Sequence, residues 1–225
     1  MSTAKSVVLR IDIRRLHLTA ALVVECTNTL IENTHIRGPF IQRIIDIPIN
    51  INFLSMELKL ENKEREEVFT EIQTYLSDLN FDVVSSDFMR PWGGFFVIQE
   101  SQAKKFTDHF FKGVEVDSLK ISGKLSPKIL VVEPGKRLSW QYHHRRAEIW
   151  RCISGSVKVV TSATDEEAES QKLNPGDEIR LVQGQRHRIV GLSTWGVLAE
   201  IWQHTDADNP SDESDIVRVQ DDFGR

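Results

Sequence analysis

Residues 134–155 read PGKRLSWQYHHRRAEIWRCISG, from Pro134 to Gly155. Pro134-Gly135 and Ser154-Gly155 are turn pairs, and the segment between them has the length of two short strands. Gln141 and His143 stand two residues apart, so on a strand both side chains leave the same face. A turn can return the chain with Glu148 facing them. A second block carries Gly176, Val182, Gln183, Gly184 and His187. With that hairpin laid across a barrel, His187 completes a four-ligand cluster of Gln141, His143, Glu148 and His187. Two imidazoles, a carboxylate and a neutral amide oxygen suit a borderline divalent cation such as Zn²⁺.

The same punctuation extends outward on both sides. From Phe81 onward the pattern reads as β. Apolar runs cover residues 128–132, 138–142, 148–153, 157–161, 178–182, 188–190 and 197–202, separated by Gly and Pro turns such as Asn174-Pro175-Gly176-Asp177. Many short strands at close spacing predict a mainly β sandwich or jelly-roll barrel. Residues 164–171 and 206–214 read as polar, acidic loops. Before the barrel, Val68, Phe69, Ile72, Tyr75, Leu76 and Leu79 recur at helical spacing and predict an amphipathic helix over 57–79. Its apolar stripe suits packing on the domain or a contact between two copies, a homodimer.

The organisation expected is therefore an N-terminal extension over 1–55, a helical segment over 56–85 and a barrel over 86–225. In the extension, Ile44, Ile45, Ile47, Ile49 and Ile51 could alternate as a strand, which Pro48 would confine to a sheet edge. Met56 opens a segment of different composition. Residues 1–55 read equally as a genuine extension or as translation upstream of a start at Met56.

The totals exclude some classes of function. A net charge of -5 disfavours nucleic-acid binding, which needs clustered Lys and Arg. A local group of Arg would still hold one phosphate. Cys26 and Cys152 lie far apart with no paired metal spacing, which fits a reduced, cytoplasmic protein. No apolar run approaches the roughly 20 residues of a spanning helix, so no membrane partner is expected. Leu16 to Val24 follows Arg14 and Arg15, but His17 and Thr19 dilute it and Cys26-Thr27-Asn28-Thr29 makes a poor leader cleavage site.

The two blocks resemble the paired cupin motifs, with Gln141 at the usual first His, Val182 at a usual Pro and Gly191 at a usual Asn. More closely, the chain resembles the C-terminal phosphomannose isomerase domain of the type II mannose-6-phosphate isomerases, which accompanies a mannose-1-phosphate guanylyltransferase domain. Gln in that ligand position is what phosphomannose isomerases use. Arg90-Pro91-Trp92-Gly93, Leu138-Ser139, Gln141 to Glu148, Trp150, His187-Arg188, Asp215-Ile216-Val217-Arg218 and Phe223-Gly224-Arg225 occur in the family's order. Ile149 departs from it, standing where the family commonly has a second His. Residues 1–85 contain no Gly-rich nucleotide-binding opening, so guanylyltransferase activity is not implied.

The resemblance implies a cupin jelly roll and a metal-dependent aldose–ketose isomerase acting on a phosphorylated sugar such as mannose 6-phosphate. The metal, Zn²⁺ by its donors, would polarise the carbonyl. Phosphate favours a bidentate Arg. Arg188, beside His187, is the first candidate for a catalytic and substrate contact, although an alternating strand aims it away from His187. Arg218 and Arg225 follow from the tail motif. Arg145 and Arg146 read as solvated surface, and His17, His35, His109 and His204 as structural. Trp140, Trp150, Trp195 and Trp202 read as core or barrel-mouth residues. Two rival readings remain: a sugar-binding cupin that holds metal without turnover, and another cupin enzyme such as a sugar epimerase or an oxygenase.

Overall fold

The computed structural model describes residues 58–114 and 123–224. Expectations that fall on residues 1–57, the extension and the Ile44–Ile51 alternation among them, lie outside the described residues, as does Arg225. Residues Leu54–Arg225 form one compact unit.

Helix α1 (Arg65–Asp78) leads into β1 (Val83–Arg90) and β2 (Gly93–Ile98). Helix α2 (Ala103–Phe110) follows, and then β3 (Lys128–Val132), β4 (Trp140–His143), β5 (Arg146–Ser154), β6 (Val157–Ser162), β7 (Glu169–Leu173), β8 (Glu178–Leu181), β9 (Arg186–Gly191), β10 (Gly196–His204) and β11 (Ile216–Gln220). One sheet has the order β1-β2-β3-β10-β5-β8 and the other β11-β4-β9-β6-β7, with antiparallel pairing throughout.

Alternation along the central strands sorts side chains between two cores. Ile129 and Val131, Ile149, Ala199 and Ile201 face the helices, sharing a cluster with Phe69, Ile72, Leu76 and Phe106. Leu130, Val132, Trp150, Cys152 and Leu198 face the second sheet, against Val157, Val159 and Ile189. Each fully buried side chain of this size contributes about 2 kcal/mol of apolar transfer. The first sheet is thus covered on both faces, which is why β3 and β10 read as nearly unbroken apolar runs.

Several expectations need adjusting. The helix begins at Arg65, not residue 57. Asn62 adopts a left-handed φ of 57°, and the Glu64–Glu67 capping box starts the helix after it. Leu58 and Leu60 are buried ahead of it in non-helical chain. Strand β1 crosses the boundary placed at 85/86, and α1 shares its core with β5 and β10. Residues 103–110 are helical within the region read as β. Their buried Ala103, Phe106, Thr107 and Phe110 follow helical spacing. The acidic loop over 164–171 ends in β7, an edge strand with only Leu173 buried. A strand solvated on both faces carries no apolar period to read.

Two sharp corners set up the site. Between β4 and β5 the chain passes from one sheet to the other. The buried Asp215 carboxylate holds that corner, accepting from the backbone N–H of His144 (3.1 Å) and Arg145 (2.9 Å). Between β7 and β8 it crosses again through Asn174-Pro175-Gly176-Asp177, with Gly176 at φ 97°. Gly155 closes the first motif at φ 65°, where a Cβ would overlap the Trp195 carbonyl.

Candidate metal centre and its cavity

The first corner places His143 on one sheet and Glu148 on the other, facing each other across the barrel interior. Register supplies the rest. Gln141 lies directly opposite His187 on β9, and on its other side opposite Arg218 on β11. Directly opposed residues of an antiparallel pair share a face, so Arg218, Gln141 and His187 form one row, with His143 on the same face two residues along.

His143, Glu148 and His187 are all buried, and a potential ligand atom from each lies within 4.8 Å of the others. His187 Nδ1 lies 2.9 Å from the Gln185 carbonyl, to which its N–H donates. That leaves Nε2 with a lone pair aimed at Glu148 Oε2, 3.4 Å away. Neither of those atoms has a hydrogen-bond partner, and nor does His143 Nδ1. Two buried acceptors facing each other without a proton between them form a seat for a cation. With Gln141 on the same face, these residues fit a divalent metal.

Protein groups already tune the cluster. Arg146 Nε donates to Glu148 Oε1 (2.7 Å), and Arg146 Nη2 lies 3.1 Å from His143 Nε2. Burial raises the Glu148 carboxyl, but the neighbouring His143 and Arg146 outweigh it and hold the group well below the usual carboxylate range. Burial pushes His187 down to about 4, against the pull of Glu148, so its ring is a neutral donor at ordinary pH.

The cluster opens onto a cavity with a cationic wall of Arg90, Lys128, Arg146 and Arg218 and an aromatic wall that includes Trp92, Trp150 and Trp202. Trp202 is flanked by cations, with Arg146 Cζ 3.6 Å and Lys128 Nζ 3.8 Å from its ring centre. Lys128 also pairs with Glu213. Glu200 lies on the same wall, accepting a hydrogen bond from Trp150 Nε1 at 2.9 Å. Burial, reinforced by the charge of Glu148, pushes Glu200 up to about 7.

The structure brings Gln141, Glu148 and Arg218 to this cavity, with His143 and His187 in the buried cluster behind it. Arg188 is placed elsewhere. Strand alternation sends it to the opposite face of β9 from His187, with no bend to bring it back. There it is buried, donating to Glu167 Oε1 (2.6 Å) and the Gln220 carbonyl (3.4 Å) and absent from the cavity wall. Arg146, read as surface, is instead buried at the centre of the site. Its place two residues before Glu148, on the same strand face, was the available signal. Lys128 and Glu200 lay inside apolar runs, where a lone charged residue on a barrel-facing position is itself the clue. Ile149, the departure from the family pattern, sits in the helix-side core and does not touch the cavity. At Gly191, another departure, a Cβ would overlap the Glu133 carbonyl, so no larger side chain fits.

The sequence model described as "Mannose-6-phosphate isomerase C-terminal" matches residues 103–221, just over half of the chain. The chain is 34% identical over 109 residues to "Xanthan biosynthesis protein XanB" of Xanthomonas campestris, covering 48% of this chain and 22% of that protein. It is 28% identical over 109 residues to "Mannose-1-phosphate guanylyltransferase ManC" of Salmonella typhimurium, covering 48% and 21%. The chain therefore spans about a fifth of the length of these curated relatives. Among solved structures it is similar to a cupin 2 conserved barrel domain protein from Salinispora arenicola, with 24% identity, 37% of this chain and 65% of that chain covered, and a TM-score of 0.32. No described helix is long and apolar enough to cross a membrane. With the ordered motifs, the two antiparallel sheets and this match over residues 103–221, the chain belongs to the mannose-6-phosphate isomerase C-terminal family of cupin domains.

Proposed function

We propose that this chain is a metal-dependent isomerase that interconverts an aldose phosphate and a ketose phosphate, mannose 6-phosphate and fructose 6-phosphate being the pair implied by its family. The observation that carries this reading is the buried His143–Glu148–His187 cluster, with unsatisfied donor atoms, behind a cavity walled by four cationic side chains. Gln141, His143, Glu148 and His187 would hold the ion, for which their donor set favours Zn²⁺. When bound, the metal supplies a Lewis acid for the sugar carbonyl and the charge that develops there.

The chain's own groups do the rest. Arg218, whose Nε is buried without a partner, and Arg90 at the end of β1 are placed to receive the phosphate. Trp92 and Trp202 offer apolar faces to the sugar and limit water around the reacting carbons. Arg146 faces the cluster and steadies negative charge on substrate oxygen. A cytoplasmic setting, where sugar phosphates are made and used, goes with this reading.

The rival of a metal- and sugar-binding cupin without turnover would use the same cluster and cavity. A coupled isomerase assay across a panel of aldose phosphates, on Zn²⁺-loaded protein, separates the two. Turnover of at least one of them is the expected result. Binding of a sugar phosphate with no turnover would sink the isomerase reading and leave the binder.

A further inference from the structure

The cavity contains a carboxylate that the metal cluster does not use. Glu200 sits on β10, the strand between β3 and β5 in the first sheet. It lies directly opposite Lys128 on one side and Trp150 on the other. The Trp150 indole N–H holds Glu200 Oε1 at 2.9 Å, and the same indole packs edge-on against His187 with ring centres 5.3 Å apart. One rigid aromatic therefore fixes both the carboxylate and a ligand imidazole, setting their spacing.

Glu200 is not accounted for as a structural ion pair. Lys128, its cross-strand neighbour, is engaged with Glu213 and lies over the face of Trp202. Arg146 is engaged with Glu148, Ser211 Oγ and the Asp212 carbonyl. A carboxyl group buried on a cavity wall and held by a single indole donor costs stability, and such groups persist where chemistry uses them. Glu148 is unsuited to move a proton, because one oxygen is taken by Arg146 and the other faces the His187 lone pair. Glu213 pairs with Lys128 and is largely exposed.

We propose that Glu200 is a catalytic residue, the group that carries the proton between the two adjacent carbons of the sugar phosphate. This rests on the isomerase reading above. In the aldose-to-ketose direction, the Glu200 carboxylate takes the hydrogen on C2 as a proton. The C2–H electron pair becomes the C1–C2 double bond, and the C1 carbonyl pair moves onto O1. Glu200 then returns its proton to C1, while the proton on O2 is lost and one is gained at O1. Substrate and product are isomers, the carboxylate is regenerated, and no oxidant or reductant is required.

The test uses Zn²⁺-loaded full-length protein and mannose 6-phosphate deuterated at C2. Wild type should convert it and release deuterium from C2, either to C1 of the product or, after exchange on Glu200, to solvent, both read by NMR. Glu200→Gln keeps the hydrogen-bonding shape and loses the base. It should bind Zn²⁺ and mannose 6-phosphate with dissociation constants within about threefold of wild type, while kcat falls on the order of a thousandfold and label release stops. Glu200→Gln with kcat within about threefold of wild type overturns the proposal and leaves the isomerase reading standing. Wild type that binds the sugar phosphate without converting it removes the isomerase reading, and this role with it. Should Glu200→Gln fail to fold, Glu200→Asp, which withdraws the carboxylate by one methylene, decides. Loss of at least about tenfold in kcat at unchanged substrate affinity supports the role, and unchanged kcat refutes it.

Discussion

Replacing Arg146 by Met keeps most of the side chain's length and removes its charge. Arg146 and Glu148 are 3% and 2% exposed, and the guanidinium also reaches Ser211 Oγ, the Asp212 carbonyl and the face of Trp202. Removing one partner of a buried pair leaves an uncompensated charge and costs about 3–5 kcal/mol. For a unit of this size each kcal/mol corresponds to about 2–4 °C in Tm, so the metal-free variant should melt about 10 °C lower. Scanning calorimetry on chelator-treated wild type and Arg146→Met measures the difference directly.

The pH dependence gives the same reasoning a second check. Burial raises Glu148, but His143 and Arg146 hold its folded pKa well below the ordinary 4.5. A depressed carboxyl contributes stability above its unfolded pKa and loses it as pH falls through the folded one. The gap between wild type and Arg146→Met should therefore be full at pH 6 and should shrink as the pH is lowered well below about 4.5. Added Zn²⁺ should raise the Tm of Arg146→Met more than that of wild type, since the ion takes over the lost countercharge. A metal-free loss below about 1 kcal/mol, or a gap that does not change with pH, would refute the view that this guanidinium neutralises Glu148.

Four further variants have expected outcomes. His143→Ala should abolish Zn²⁺ binding and any isomerase activity together, as titration calorimetry and the coupled assay would show. Arg218→Gln should weaken sugar-phosphate binding by on the order of tenfold to a hundredfold, the scale of a charge-assisted contact of about 1.5–3 kcal/mol, while Arg188→Ala should lower Tm and leave that affinity unchanged. The buried His204 accepts from the Ser211 backbone N–H, and burial, with the nearby cations, pushes it down to about 4. A depressed imidazole costs stability as pH falls from its unfolded 6.5 toward 4, so His204→Asn, which retains an acceptor, should flatten acid unfolding over that window.

Much of the centre was legible in the linear chain because strand geometry is nearly rigid. Side chains two apart share a face, so the spacing of Gln141 and His143 already put them together, and turn residues at Pro134-Gly135 and Ser154-Gly155 bracketed the hairpin. The same alternation warned that Arg188 would turn away from His187. Short periods of this kind survive any tertiary arrangement.

What surrounds those residues depended on contacts between distant strands. Lys128, Glu200 and Trp150 come from three strands and meet through register alone, and Arg218 reaches the cavity because β11 pairs with β4. Arg146 looked solvated because a charged pair in a turn usually is. Its burial follows from Trp202 and the 206–214 loop closing over it. Helix α2 had a clear apolar period, but the edge strand β7 had none. Local pattern specifies which face a side chain takes, whereas the partner on that face is set by chain segments tens of residues away, and burial and charge at the site follow from those partners.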